Sequence, residues 1–113
     1  MRLPRNRRPT PPGRILVRQF LEPLGVTLTD FAGRIGVTRA RLSEIANGKR
    51  GVTPDTALRL GQVLGTSPVF WLNLQLNVDL WDALHSDTAA EIRRLKPVAS
   101  VRGEGRIAVR AAS

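Results

Sequence analysis

The stretch LTDFAGRIGVTRARLSEIAN, Leu28 to Asn47, decides how this chain folds. Leu28, Phe31, Ala32 and Ile35 recur at three- and four-residue spacing and place one apolar stripe on a short helix. Thr27 can cap that helix, with Asp30 three residues on as the acid of a short capping box. Gly36 ends it, because the left-handed exit of a helix costs glycine least. Thr38 caps a following helix whose apolar face is Leu42, Ile45 and Ala46, and Asn47-Gly48 closes it. Ala32 is small where two helices must approach closely. Small residue, turn glycine and apolar pair fall at the spacing of a helix-turn-helix. Thr38 to Asn47 would then be the segment that enters a DNA major groove. A helical hairpin that binds protein satisfies the same spacing.

The polar face of that segment favours DNA. Thr38, Arg39, Ala40, Arg41, Ser43, Glu44 and Asn47 remain once the apolar positions are removed. Arg39 suits a bidentate bond to guanine O6 and N7, and Ala40 can meet a thymine methyl. Thr38 can cap the helix and touch the DNA as well, and Ser43 joins the base-reading set. Glu44 can accept from cytosine N4 or pair along the helix with Arg41. Arg41, Asn47, Lys49 and Arg50 are the candidate phosphate contacts.

Outward from this core, the chain punctuates itself. Residues 1–12 form an arginine- and proline-rich arm carrying Arg2, Arg5, Arg7 and Arg8. Pro12 fits a first helical turn. Ile15, Leu16, Phe20 and Leu21 follow at helical spacing until Pro23, which should stop the run. Thr53-Pro54-Asp55 opens another helix, with Leu58, Leu60 and Leu64 as its apolar residues and Gly65 as its stop. Ser67-Pro68 repeats the start signal. The helix after it carries Phe70, Trp71, Leu72, Leu74, Leu76, Val78, Leu80, Trp81 and Leu84. Phe70 and Trp71 read as core. Apolar residues on more than one face of this helix imply a second buried side, most simply a symmetric dimer seam at Leu76, Leu80 and Trp81. Asp87 can cap a short last helix through Arg94. The rest of the 97–113 tail has spaced arginines, no clear period and no convincing strand, and reads as disordered until a partner is bound. The expected architecture is therefore all-α. A compact bundle of about five helices spans 13–96, between a basic arm and a flexible basic tail.

Charge follows the same division. Of the net +9, residues 1–50 carry +8, residues 51–92 carry −4 and residues 93–113 carry +5. The two ends suit a polyanion and the middle does not. With no cysteine and only His85, disulfides and thiolate metal sites are excluded and a histidine-based triad is disfavoured. His85 has no evident partner and reads as a surface residue. Asp79 and Asp82 share a helical face, with nothing in view to raise their pKa. No catalytic site, metal or cofactor is expected. No apolar run approaches a membrane span and no secretory leader is evident, so a cytoplasmic protein is expected.

Three blocks in order resemble the HigA-type antitoxins of the Xre helix-turn-helix family: RPTPPGRIL (Arg8–Leu16), FLEPLGVT (Phe20–Thr27) and GKRGVTPDTALRLGQVLGTSPVFWLNLQ (Gly48–Gln75). The resemblance covers about three-quarters of the chain. It implies a lambda-repressor-like fold, a homodimer on a palindrome in its own operator, and neutralisation of a cognate toxin, usually a RelE-like mRNA endonuclease. A departure lies at Pro11-Pro12-Gly13-Arg14, where the family often has His-Pro-Gly-Glu. The tail from Pro97 matches no block of the family. A stand-alone Xre-type regulator, or an interaction module that ignores DNA, remains the alternative.

Overall fold

The computed structural model describes residues 7–101 and 107–109. Its helices are α1 (Pro12–Ile15), continued by a π-helical segment (Leu16–Leu21) and α2 (Glu22–Leu24), then α3 (Leu28–Ile35), α4 (Arg39–Ala46), α5 (Pro54–Leu64), α6 (Pro68–Leu84) and α7 (Ala89–Arg93). Four of the starts are capped as the residues predict. Thr27 Oγ1 accepts from Asp30 N–H at 3.1 Å, and Thr38 Oγ1 from Arg41 N–H at 3.1 Å. Thr53 accepts from Thr56 N–H, and Ser67 from Val69 N–H. Each such bond satisfies an N–H that the helix itself leaves unpaired. The turn inside the motif is made by Gly36 at φ 76°.

Around these helices lies one core. Leu16 and Leu21 from the first helical run pack with Phe31, Ala32 and Ile35 of α3, Leu42 and Ile45 of α4, Ala57 and Leu60 of α5, and Trp71 of α6. Trp71 is fully buried, and its indole N–H donates to Thr66 Oγ1 at 2.7 Å. That bond replaces the one to water that the buried N–H gives up. The other predicted core aromatic, Phe70, stays part-exposed and meets the edge of Trp71 at a centroid distance of 5.0 Å.

Four local expectations are corrected. Pro23 does not stop the first run, which continues through Leu24. The turn before it widens, with Glu22 N–H bonding to Val17 C=O five residues back, and the π geometry relieves the clash of a proline ring with the preceding turn. Leu58 faces solvent, because α5 turns Thr56, Ala57, Leu60 and Gly61 inward. Asp87 caps nothing; α7 starts after Thr88 without a side-chain cap. No strand is evident in the sequence, yet the backbone of Ala99–Val101 (β1) pairs antiparallel with Ile107–Val109 (β2), outside the helical bundle. The remainder of the predicted flexible tail, 102–106 and 110–113, lies outside the described residues, as do Arg2 and Arg5 of the arm.

Candidate nucleic-acid interface

α3 and α4 present the predicted face. Thr38, Arg39 and Ala40 are exposed at the start of α4, and Asn47, Lys49 and Arg50 are exposed just beyond its end. Ser43 and Glu44 are half-buried between them. The apolar side, Leu42, Ile45 and Ala46, is sunk in the core, so the helix cannot rotate to hide its polar face without exposing buried leucine and isoleucine.

The arginines near this face have distinct partners. Arg34 donates to Asp30 at 2.9 Å, four residues back on α3. Arg41, a predicted phosphate contact, turns into the protein. Its guanidinium donates to Thr56 Oγ1 at 2.8 Å and to Asp55 at 3.3 Å. Glu44 pairs with Arg50 at 3.3 Å, and not with Arg41 along the helix. Arg39 donates through Nε to Thr29 Oγ1 at 2.9 Å.

A strap that sequence reasoning missed holds the motif to α5. Arg59 bonds the carbonyls of Ile35 and Gly36, at 2.9 Å and 3.3 Å, and its Nε donates to Asp55 at 2.9 Å. Asp55 therefore joins Arg59, which grips the turn, to Arg41, which reaches across from α4. Only the Asp55–Arg59 spacing of four residues is a signal in the sequence; Ile35, Gly36 and Thr56 are contacts across the fold. The hydrogen bond from Arg59, reinforced by its charge and by Arg41, holds the Asp55 carboxyl below its ordinary 3.8. A depressed carboxylate contributes stability that is present above its unfolded pKa and is lost as pH falls through the folded value. Asp55→Asn should thus lower the melting temperature at neutral pH. The difference from wild type should shrink to nothing as the pH drops well below 3.8. A gap in melting temperature that stayed constant down to that acidity would assign the effect to something other than this charge.

Away from the face, α6 carries the other predicted residues. Leu76 and Leu80 lie together on its outer side, 45% and 43% exposed. Val69, Leu76 and Ala83 recur every seven residues along this side, opposite buried Trp71 and Val78. Trp81 sits apart from them, half-buried, with its ring stacked on His85 at 3.8 Å. His85 thus has a partner that its sequence context did not reveal, and its Nδ1 also lies 2.8 Å from the Trp81 carbonyl. The two carboxylates expected to share a face are engaged separately. Gln75 Nε2 donates to Asp79 at 2.9 Å, while Arg8 binds both oxygens of Asp82 at 2.8 and 3.0 Å. The arm is thereby tied to α6 at Arg8, and Asp82 is held below the usual carboxylate range by that guanidinium. Among the described residues no group of three or more His, Cys, Asp or Glu is arranged to hold a metal, and no helix is long and apolar enough to cross a membrane.

Comparison with known proteins agrees with this geometry. The helix-turn-helix family profile matches residues 17–71. Antitoxin HigA-1 of Vibrio cholerae is 47% identical over 78 residues, covering 68% of this chain and 72% of its own. An uncharacterized helix-turn-helix transcriptional regulator of Haemophilus influenzae is 44% identical over 81 residues, covering 72% of this chain and 76% of its own. Among solved structures, antitoxin GraA in complex with its operator superposes with a TM-score of 0.75 at 33% identity, over 88% of this chain and all (100%) of GraA. The chain belongs to the HigA-type antitoxins of the Xre helix-turn-helix family.

Proposed function

We propose that this protein is the antitoxin of a type II toxin–antitoxin pair. As a homodimer it binds its own operator and represses transcription, and it neutralises a RelE/HigB-like mRNA-cleaving toxin. The observation that carries the DNA half is the start of α4, where Thr38, Arg39 and Ala40 stand exposed on a helix locked by its buried side. The operator complex of the related GraA supports the same reading. Toxin neutralisation is supported by the antitoxin names of the relatives. The protein works in the cytoplasm, without cofactor or catalysis. Its body, 13–96, does the binding and dimerisation, flanked by a basic arm, 1–12, and a basic tail, 97–113.

In this reading Thr38, Arg39, Ala40, Ser43 and Glu44 face the bases. Asn47, Lys49 and Arg50 lie along the phosphates, and Arg41 reaches them only by leaving Thr56 and Asp55. Arg50 releases Glu44 when it turns to a phosphate, which frees the Glu44 carboxylate to accept from a cytosine. Arg39→Ala should cost about 1–3 kcal/mol of operator affinity and relax the preference at one base pair of each half-site. The check is binding to single-substitution duplexes derived from a site selected out of a random pool. An unchanged base preference would remove Arg39 from direct readout. Replacing Lys49 and Arg50 together with alanine should weaken all duplexes alike and reduce the salt slope of binding by roughly 2. An effect confined to one sequence would rule out a phosphate role for the pair.

A stand-alone regulator is the second reading, favoured by the Haemophilus influenzae relative, which bears only a regulator's name. Co-expression with the product of the adjoining gene separates the two. An antitoxin must form a complex with that product and relieve the growth arrest it causes. A regulator that does neither while still binding duplex is the stand-alone case.

A further inference from the structure

Arg39 differs from the other hydrogen-bonded arginines around the motif. Arg34, Arg41, Arg50 and Arg59 are each held by a carboxylate, from Asp30, Asp55, Glu44 and Asp55 respectively. Arg39 is held by a hydroxyl alone among the described residues: its Nε donates to Thr29 Oγ1 at 2.9 Å, across from the first turn of α4 to the first turn of α3. A neutral acceptor aims a guanidinium without cancelling its charge. A carboxylate at the same place would neutralise Arg39 and repel an approaching polyanion.

The atom that is engaged also matters. An arginine can present a fork to guanine with its two terminal nitrogens or with Nε and one of them. With Nε committed to Thr29, only the terminal pair is left to meet O6 and N7. Both side chains are exposed in the free protein, so water competes with this bond. Once DNA covers the face, water is excluded and an Nε–H without Thr29 would be left unsatisfied.

We propose that Thr29 is a specificity-determining positioning residue: it does not read a base, and it fixes the guanidinium of Arg39 in the end-on orientation that selects guanine. This rests on the reading of Arg39 as a base contact, and the test separates the two. Full-length wild type, Thr29→Val, Thr29→Ser, Arg39→Ala and the Thr29→Val/Arg39→Ala double variant are titrated against the selected duplex. The same proteins are titrated against its three substitutions at the base pair that Arg39 governs, and against an unrelated duplex. Valine keeps the shape of threonine and removes the acceptor. Thr29→Val should lower the preference for guanine about three- to tenfold, with melting temperature and affinity for the unrelated duplex unchanged. Thr29→Ser should restore the preference, and the double variant should discriminate no worse than Arg39→Ala alone.

If Arg39→Ala abolishes the preference while Thr29→Val keeps it in full, the positioning role is refuted and the base contact stands. If Arg39→Ala itself leaves the preference intact, the reading of Arg39 fails and the role of Thr29 falls with it. Equal weakening of all duplexes by Thr29→Val would also overturn the proposal, because it would make Thr29 a phosphate or folding residue.

Discussion

Gly13→Ala should lower stability by about 3 kcal/mol, a drop in melting temperature of roughly 10–20 °C for a domain of this size. Gly13 has no unusual backbone angle; its requirement is one of space. It lies in α1 where that helix crosses the end of α4, and a Cβ there would sit 1.7 Å from the Ile45 carbonyl oxygen and 2.9 Å from the Ala46 Cα. Those are backbone atoms of α4, the helix proposed to enter the groove, so neither can yield as a flexible side chain would. Either α1 withdraws and uncovers Leu16, or α4 shifts and carries its polar face with it. Operator affinity should fall with stability. Gly33→Ala is the matched control. Gly33 lies inside α3 with nothing within 4 Å of its virtual Cβ, and alanine there should gain about 0.5–1 kcal/mol through helix propensity. Thermal melts of the two variants must move in opposite directions. A Gly13→Ala protein that melts with wild type would mean that α1 and α4 are not in this contact.

Local features of this fold were legible because local rules decide them. Thr27, Thr38, Thr53 and Ser67 cap by reaching an N–H two or three residues ahead, which sequence spacing alone specifies. Gly36 turns because no other residue takes its φ of 76° so cheaply. What stayed hidden depends on how the helices dock. Arg41 looks like a free cation until α5 brings Thr56 beside it, fifteen residues on. The bond between Thr29 and Arg39 needs the turn at Gly36 to fold two helix starts together. Gly13 is one glycine in a Pro-Pro-Gly-Arg segment that signals only a helix start, and its packing role appears only against Ile45. Leu58 counts among the apolar residues of its helix, but Ala57 and Gly61 let α5 approach its neighbours on another side. For the candidate interface, the exposed residues of α4 could be named in advance; which of their charges were already spent inside the protein could not.

Leu80→Asp should convert the proposed homodimer to a folded monomer and weaken operator binding by about a hundredfold to ten-thousandfold, the range by which joining two binding modules raises affinity. One short helix contacts too few base pairs to select a site, so a palindrome read by two copies requires a seam between them. The outer side of α6 has the form of such a seam. Val69, Leu76, Leu80, Ala83 and Leu84 lie along it, all exposed, while Trp71 and Val78 close the opposite side. Near its end, Leu80, Ala83 and Leu84 of α6 join Ala89 and Ile92 in an apolar groove of about 210 Å³. Apolar surface of this extent on a small monomer is unfavourable unless something covers it, and a second α6 offers a complementary ridge. Aspartate at position 80 would put an unpaired charge into a dry contact in the dimer, yet remain partly hydrated in the monomer, where Leu80 is 43% exposed. The helical circular dichroism should therefore persist while sedimentation reports half the mass. Unfolding would instead place Leu80 in the monomer core, against its exposure. Trp81, the third residue expected in the seam, makes a different prediction because it is half-buried and stacked on His85. Trp81→Ala should reduce monomer stability more than it reduces dimerisation. A Leu80→Asp protein that still sediments as a dimer and binds the operator normally would move the interface off this side of α6.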